Sequence, residues 1–340
     1  MKSGIIAVGL VFCSFVYAGE QKLTYVDLVN RITDLEHLSV LPVPGEKCAQ
    51  CSSYDRASRF DEATGKYVAW DANGDGGAVI RMEGEQAVLA EMTGPGCIWR
   101  IWSATAGKGH VKIYLNGASE PAVDLAFDEY FSRKFEPFTY PALVYKTAAN
   151  GFDNYVPVPF QKSCKIMGDK EWGKYYHFTY STFPAGTQVP TFKRELSAEE
   201  KEALSRADKI LAVCNADPAG NRKGEKIATE KVAVEAGKTA RVLKLRGERA
   251  ITAIKVKLDL PTPPADRDIL RELVLKITWD GQKEPAVWTP LGDFFGSAPG
   301  ANKYSSLPLG LTADGVFYSY WYMPFKKGAI VELVNDGKTR

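Results

Sequence analysis

The residues best suited to chemistry crowd into one stretch, from Ser52-Ser53-Tyr54-Asp55-Arg56 to Trp70-Asp71-Ala72-Asn73-Gly74-Asp75-Gly76. An aromatic face (Tyr54 or Trp70) beside acceptors (Asp55, Asp71, Asn73), a hydroxyl (Ser53) and a guanidinium (Arg56) is what a sugar requires: apolar C–H surface to stack, hydroxyls to bind. These seven residues form the candidate substrate-binding set. The competing reading is a turn-rich loop whose Asp and Asn side chains cap their own backbone.

Other combinations are weaker. Asp71-x-Asn73-x-Asp75-Gly76 matches the first half of a calcium loop, but Met82 stands where the twelfth-position Glu belongs. No metal or cofactor is therefore expected. Histidines 37, 110 and 177 lack the close spacing of a zinc helix and read as structural. Cys48-x-x-Cys51 has no second ligand pair downstream, which leaves a local disulfide or two free thiols. Gly94-Pro95-Gly96 leads into a strand rather than a helix, so it is a turn and not a phosphate loop. In Cys97-Ile98-Trp99-Arg100-Ile101-Trp102 simple alternation puts Ile98, Arg100 and Trp102 on one face. Gly292-Asp293-Phe294-Phe295-Gly296 offers a carboxylate of the kind glycosidases use. Its counterpart Glu129-Tyr130-Phe131 elsewhere in the chain favours a structural corner instead.

That counterpart belongs to an internal duplication. Ile113-Tyr114-Leu115-Asn116-Gly117, Glu120-Pro121-Ala122-Val123 and Glu129-Tyr130-Phe131 recur without a gap as Ile277-Thr278-Trp279-Asp280-Gly281, Glu284-Pro285-Ala286-Val287 and Asp293-Phe294-Phe295. Tyr155 to Lys162 returns one residue later as Tyr320 to Lys327. A period this long denotes a duplicated domain, not a solenoid. Short alternating runs broken by Gly, Pro and Asn predict strands at Ala78–Arg81, Ala87–Met92, Cys97–Trp102, Lys165–Met167 and Tyr175–Phe183. In the second copy they fall at Lys231–Val234, Ala240–Leu245, Ile251–Leu258, Leu273–Trp279 and Ile330–Val334. Only Val26–Leu38 and Ser197–Leu211 read as helices, the latter opening with the capping box Ser197-x-x-Glu200. The fold expected is all-β, tandem jelly-roll β-sandwiches with two short helices, the second sandwich incomplete. Its incompleteness is read from Asn335-Asp336-Gly337, a tight turn after a strand with no return strand behind it, so the chain is expected to be a fragment of a longer protein. Lys2 and the apolar run Ile5 to Val16 predict a signal peptide over 1–18 and a secreted or periplasmic protein. A helical segment at 19–45, the first jelly roll at 46–192, a helical connector at 193–225 and the second, incomplete jelly roll at 226–340 follow. The formal charge of +2 argues against a nucleic-acid partner, and no later stretch is apolar for long enough to predict a membrane partner.

Ser53-Tyr54-Asp55-Arg56, Gly94-Pro95-Gly96-Cys97-Ile98, Gly292-Asp293-Phe294-Phe295-Gly296 and Tyr322-Met323-Pro324-Phe325 together resemble the family first called domain of unknown function 2961, now glycoside hydrolase family 172. The resemblance runs from about Ser52 to the end. It implies tandem jelly rolls, a carbohydrate substrate with fructofuranoside- or arabinofuranoside-type linkages, a retaining mechanism with two glutamates, and homo-oligomers of trimer type when complete. The family carries those glutamates in Gly-Glu-Gly-Asp and Gly-Thr-Gly-Thr-Glu-Asp-Tyr-Phe motifs, and neither occurs here. No catalytic residue is therefore carried over, and this chain alone is expected to be inactive. The alternative is a non-catalytic carbohydrate-binding or assembly module on the same fold.

Overall fold

The computed structural model describes residues 21–338, so the predicted signal peptide lies outside the described residues. Strands run in chain order as β1 (Lys47–Ser52), β2 (Arg59–Asp61), β3 (Lys66–Val68), β4 (Arg81–Glu83), β5 (Gln86–Thr93), β6 (Gly96–Ser103), β7 (His110–Leu115), β8 (Val123–Ala126), β9 (Val144–Lys146), β10 (Phe152–Asn154), β11 (Val158–Phe160), β12 (Ser163–Gly168) and β13 (His177–Thr182). One sheet has the order β1-β13-β6-β10-β9, with β11 also on β6, and the facing sheet has β4-β5-β12-β7-β8. The chain crosses between the two sheets repeatedly, which is the jelly-roll path. Alternation explains the packing: Val111, Ile113 and Leu115 of β7 are buried while His110, Lys112 and Tyr114 between them are not. They join Ile98, Ile101, Ile166 and Phe178 in one closed core.

The second copy comprises β14 (Thr239–Arg246), β15 (Arg249–Ile251), β16 (Ile254–Lys257), β17 (Leu273–Trp279), β18 (Val287–Pro290), β19 (Tyr304–Ser305), β20 (Leu309–Leu311), β21 (Val316–Ser319), β22 (Met323–Phe325) and β23 (Gly328–Asn335). Its sheet β14-β23-β17-β18 repeats β5-β12-β7-β8 strand for strand. Even the irregularity is copied, since β5 bulges at Leu89 against β12 and β14 at Val242 against β23, the strands in the same place in the two sheets. The turn after β7 is copied too. Asn116 and Gly117 have φ of 58° and 79°, and Asp280 and Gly281 have 54° and 75°. The Asn116 and Asp280 side chains both accept backbone N–H bonds from the segment entering the next strand, from Lys162 in one case and from Lys326, Lys327 and Gly328 in the other.

The other sheet is not copied in full. β16-β21-β20-β19 and β15-β22 answer to β6, β10, β9 and β11, but among the described residues nothing answers to β1 and β13. Among the described residues that face of the second copy therefore carries fewer strands than its counterpart in the first. The predicted strand Lys231–Val234 is not formed; it stands where Ala78–Arg81 leads into β4 in the first copy, and β4 too has no counterpart among the described residues. Asn335-Asp336-Gly337 is also not a hairpin turn. β23 already has β14 and β17 on its two sides, and the turn is stitched to Val234, Lys238 and Glu272 by bonds of 2.9 Å.

Further departures have local causes. The first helix is short: α1 (Tyr25–Asn30), held by a Thr24/Asp27 capping box, followed by turns and a 3-10 turn at His37–Ser39. α2 (Ala198–Ala212) starts after Ser197 as expected and buries Ala203, Leu204 and Ala207 against the first core. Two helices were not expected, α3 (Asp266–Glu272) and α4 (Leu291–Phe294). The predicted strand at Ala78–Arg81 begins only at Arg81. The run Ile251–Leu258 is broken into β15 and β16. Among the described residues no helix is long and apolar enough to cross a membrane.

Candidate functional site

Antiparallel register sets three side chains side by side at one end of the first sandwich. Ser52 pairs with His177, and His177 pairs with Trp102, across β1, β13 and β6. The His177 ring lies on Trp102 at a centroid distance of 4.5 Å. Burial, and then the Arg100 guanidinium, pull the His177 pKa below its ordinary value, which leaves the ring neutral at neutral pH. Arg100 lies 5.7 Å from the Trp102 ring and donates to Asp153 at 2.7 Å. Simple alternation fails on this strand, because β6 bulges at Trp99 against β13. Ile98 and Ile101 both enter the core. Ile98 therefore does not share a face with Arg100 and Trp102, and the bulge leaves those two together on the opposite side.

Two loops close over this row. The segment after β1 is pinned by Ser53, whose backbone N–H donates to Tyr176 at 3.2 Å. Asp55 fastens the second loop to the first: its Oδ2 accepts from Gly74 N at 2.6 Å while Oδ1 accepts from Ala57 N at 2.9 Å. A Cβ on residue 74 would sit 2.6 Å from that same oxygen, so a larger residue there would push the Asp55 carboxylate out of this bond. The result is a cleft of about 490 Å³ whose walls include Tyr54, Tyr67, Asp75, Trp102, Tyr175 and His177.

Of the seven candidate residues, Ser53, Tyr54, Asp55 and Asn73 line this cleft. Arg56, Trp70 and Asp71 do not. Arg56 turns back to donate to the Ser52 carbonyl at 3.0 Å and the Tyr54 carbonyl at 3.3 Å, with its guanidinium over the Tyr54 ring. Its role there is to brace the loop. Trp70 is 79% exposed and is not among the residues that line the cleft. Trp102, Tyr175 and His177 were missed, since they come from strand ends far along the chain. The signal that could have found them is the register itself, which places His177 beside Ser52 once β1 and β13 are paired.

The cleft combines aromatic faces with hydroxyl, carboxylate and amide groups, the mixture that grips a polyol ring. Among the described residues no group of three or more His, Cys, Asp or Glu could hold a metal ion. The other chemical candidates resolve structurally. Cys48 and Cys51 are both free thiols, and three residues apart on one strand they point to opposite faces. His110 Nδ1 lies 2.6 Å from Asp124. Asp293 is ion-paired with Arg271 on the surface, and Phe295 behind it is buried in the second core.

The model of the GH172 first beta-sandwich domain matches residues 44–200, and that of a GH172 domain-like unit matches residues 224–340. No curated protein matches the chain. The two matches fall on the two sandwiches just described and between them cover most of the sequence: the chain belongs to glycoside hydrolase family 172.

Proposed function

We propose that the cleft of the first sandwich is a wall of a furanoside-binding pocket, in a secreted or periplasmic protein that assembles as a trimer-type homo-oligomer when complete. The substrate class is a fructofuranoside or arabinofuranoside. On this reading the chain is a fragment of a longer glycosidase, carrying scaffold and part of the pocket but not the catalytic glutamates. Tyr54, Tyr67 and Trp102 supply stacking faces. Asp55 and Asn73 accept from ring hydroxyls, and Ser52, Ser58 and Tyr175 can both donate and accept. The observation that carries the reading is the meeting of the Ser53–Asp55 segment with Trp102 and His177 in one cleft.

Titration of the purified chain with arabinofuranosyl and fructofuranosyl oligosaccharides, followed by tryptophan fluorescence and calorimetry, tests it. Binding should weaken at least tenfold in Trp102→Ala, a loss of ~1.4 kcal/mol or more. Trp288→Ala, on the exposed surface of the second sandwich, should bind as the parent does. No furanoside binding, or equal affinity in Trp102→Ala, would sink the reading. Hydrolysis is expected to be absent throughout.

A further inference from the structure

The outer face of the first sandwich carries more than the cleft. Register sets Ser52, His177, Trp102, Asp153 and Tyr145 in one row across β1, β13, β6, β10 and β9, each directly opposite the next. Neighbouring strands lie about 4.8 Å apart, so Tyr145 stands about 10 Å beyond Trp102. Ser52, His177 and Trp102 line the cleft, whereas Asp153 and Tyr145 are not part of its lining. Beside them Arg100 donates to Asp153 at 2.7 Å, and its guanidinium lies 5.7 Å from the Trp102 ring and 5.9 Å from that of Tyr155. The Tyr145 and Tyr155 rings stack at 6.2 Å.

The duplication shows the same face when the chain itself covers it. Val158↔Ile98 and Asn154↔Ile101 correspond to Met323↔Ile251 and Ser319↔Ile254, which sets Ile101 against Ile254 and Asn154 against Ser319. Arg100, Asp153 and Tyr155 therefore match Ala253, Tyr318 and Tyr320. In the second copy Leu35 of the amino-terminal segment packs on those three, and Tyr318 and Tyr320 are buried. In the first copy that segment meets the other end of the face, where α1 lies on Cys97 and Trp99. The end with Arg100 keeps 28% of that side chain exposed and leaves Tyr145 and Tyr155 half-buried. Where one copy has an apolar seat filled by a leucine, the other has an accessible ion pair set among aromatic rings.

We infer that this end of the face is a second sugar subsite, which takes the residue next along an oligosaccharide from the one in the cleft. The inference rests on the furanoside reading of the cleft and deepens it. Trp102 joins the two subsites, since it lines the cleft on one side and stands opposite Asp153 on the other. Tyr145 and Tyr155 give the second sugar an apolar surface for its C–H groups. Arg100 gives it donors, because one of the five guanidinium N–H groups is spent on Asp153 and others are left for hydroxyls. Asp153 neutralises the guanidinium charge, so the occupant is a neutral sugar residue and not a uronic acid.

The test uses the full chain with arabinofuranosyl and fructofuranosyl mono-, di- and trisaccharides, affinity being read by calorimetry and contact by hydrogen exchange. A disaccharide should bind about tenfold more tightly than the monosaccharide. It should also protect the backbone amides of residues 144–146 and 152–154, which the monosaccharide leaves unchanged; this arm needs no variant. In Tyr145→Ala, shown by its thermal melt to be folded, the gain from the second residue should shrink to about twofold. Lys255→Ala, at the place in the second copy that matches Trp102, should keep the gain whole. Monosaccharide binding with no gain from a second residue, a gain that survives Tyr145→Ala, or protection elsewhere would overturn the subsite and leave the cleft reading standing. So would tighter binding of an oligomer whose second residue is a uronic acid. Absence of binding at every length would overturn both.

Discussion

The two sandwiches share a sheet, a bulge and a turn, yet one has a sealed core and the other does not. Ile113 and Ile277, at the same place on β7 and β17, are both fully buried. Ile101 and Ile254, at the same place on β6 and β16, are not alike: the first is fully buried and the second only partly. The side chain is the same and the local strand is the same. What differs is the neighbour, so burial here is decided by long-range pairing rather than by local sequence.

The sharpest way to break this comparison is a matched pair of truncations. Ile101→Ala should destabilise by about 2–5 kcal/mol and Ile254→Ala by about 1, read by urea unfolding followed separately on each sandwich. Equal losses would mean that the second core is closed in solution. A smaller effect serves as the internal control. Gly117→Ala and Gly281→Ala force alanine into the left-handed region and should each cost about 1–2 kcal/mol, alike in both copies because the turns are alike. The subtlest contrast is in acid. Asp280 is held below the usual 3.8 because the Lys327 N–H, then that of Gly328, donate to its carboxylate. A depressed carboxyl contributes stability that is present above 3.8 and lost as the pH falls through its lowered value. Protection at the start of β23, referred to each amide's intrinsic exchange rate, should therefore fall on acidification, while that at the equivalent start of β12, governed by the non-titrating Asn116, should not. Asp280→Asn should remove the difference.

Much of this architecture could be read in advance for a physical reason. Alternation at Val111-Ile113-Leu115 and the Asn116-Gly117 turn are local signals, and the duplication doubled each of them. The bulge at Trp99 was not legible, because a bulge is fixed by how two strands pair and leaves no periodic trace in either. It is also why Ile98 and Trp102 were wrongly set on one face. Of the candidate residues, Tyr54, Asp55 and Asn73 stand out in sequence because they sit in polar loops, and they line one cleft, whereas Arg56 turns back on carbonyls of its own loop. Trp102 and His177 are 75 residues apart in number and meet only through register. Trp70 reads as a stacking platform from its type alone, and in the fold it is exposed rather than part of the cleft lining.

Cys97 illustrates how the amino-terminal segment is held. It lies with Leu23, Leu28, Phe183 and Val189 between the outer surface of β6 and α1, where burial pushes its thiol well above the ordinary range. The Tyr25 hydroxyl fastens the same helix to the Pro157 carbonyl at 3.1 Å. The thiol is consequently a clock for that attachment. Cys48, on the exposed side of β1, should take an alkylating reagent at once, whereas Cys97 should react only as often as α1 peels away, so mass spectrometry of the two labels would time that peeling.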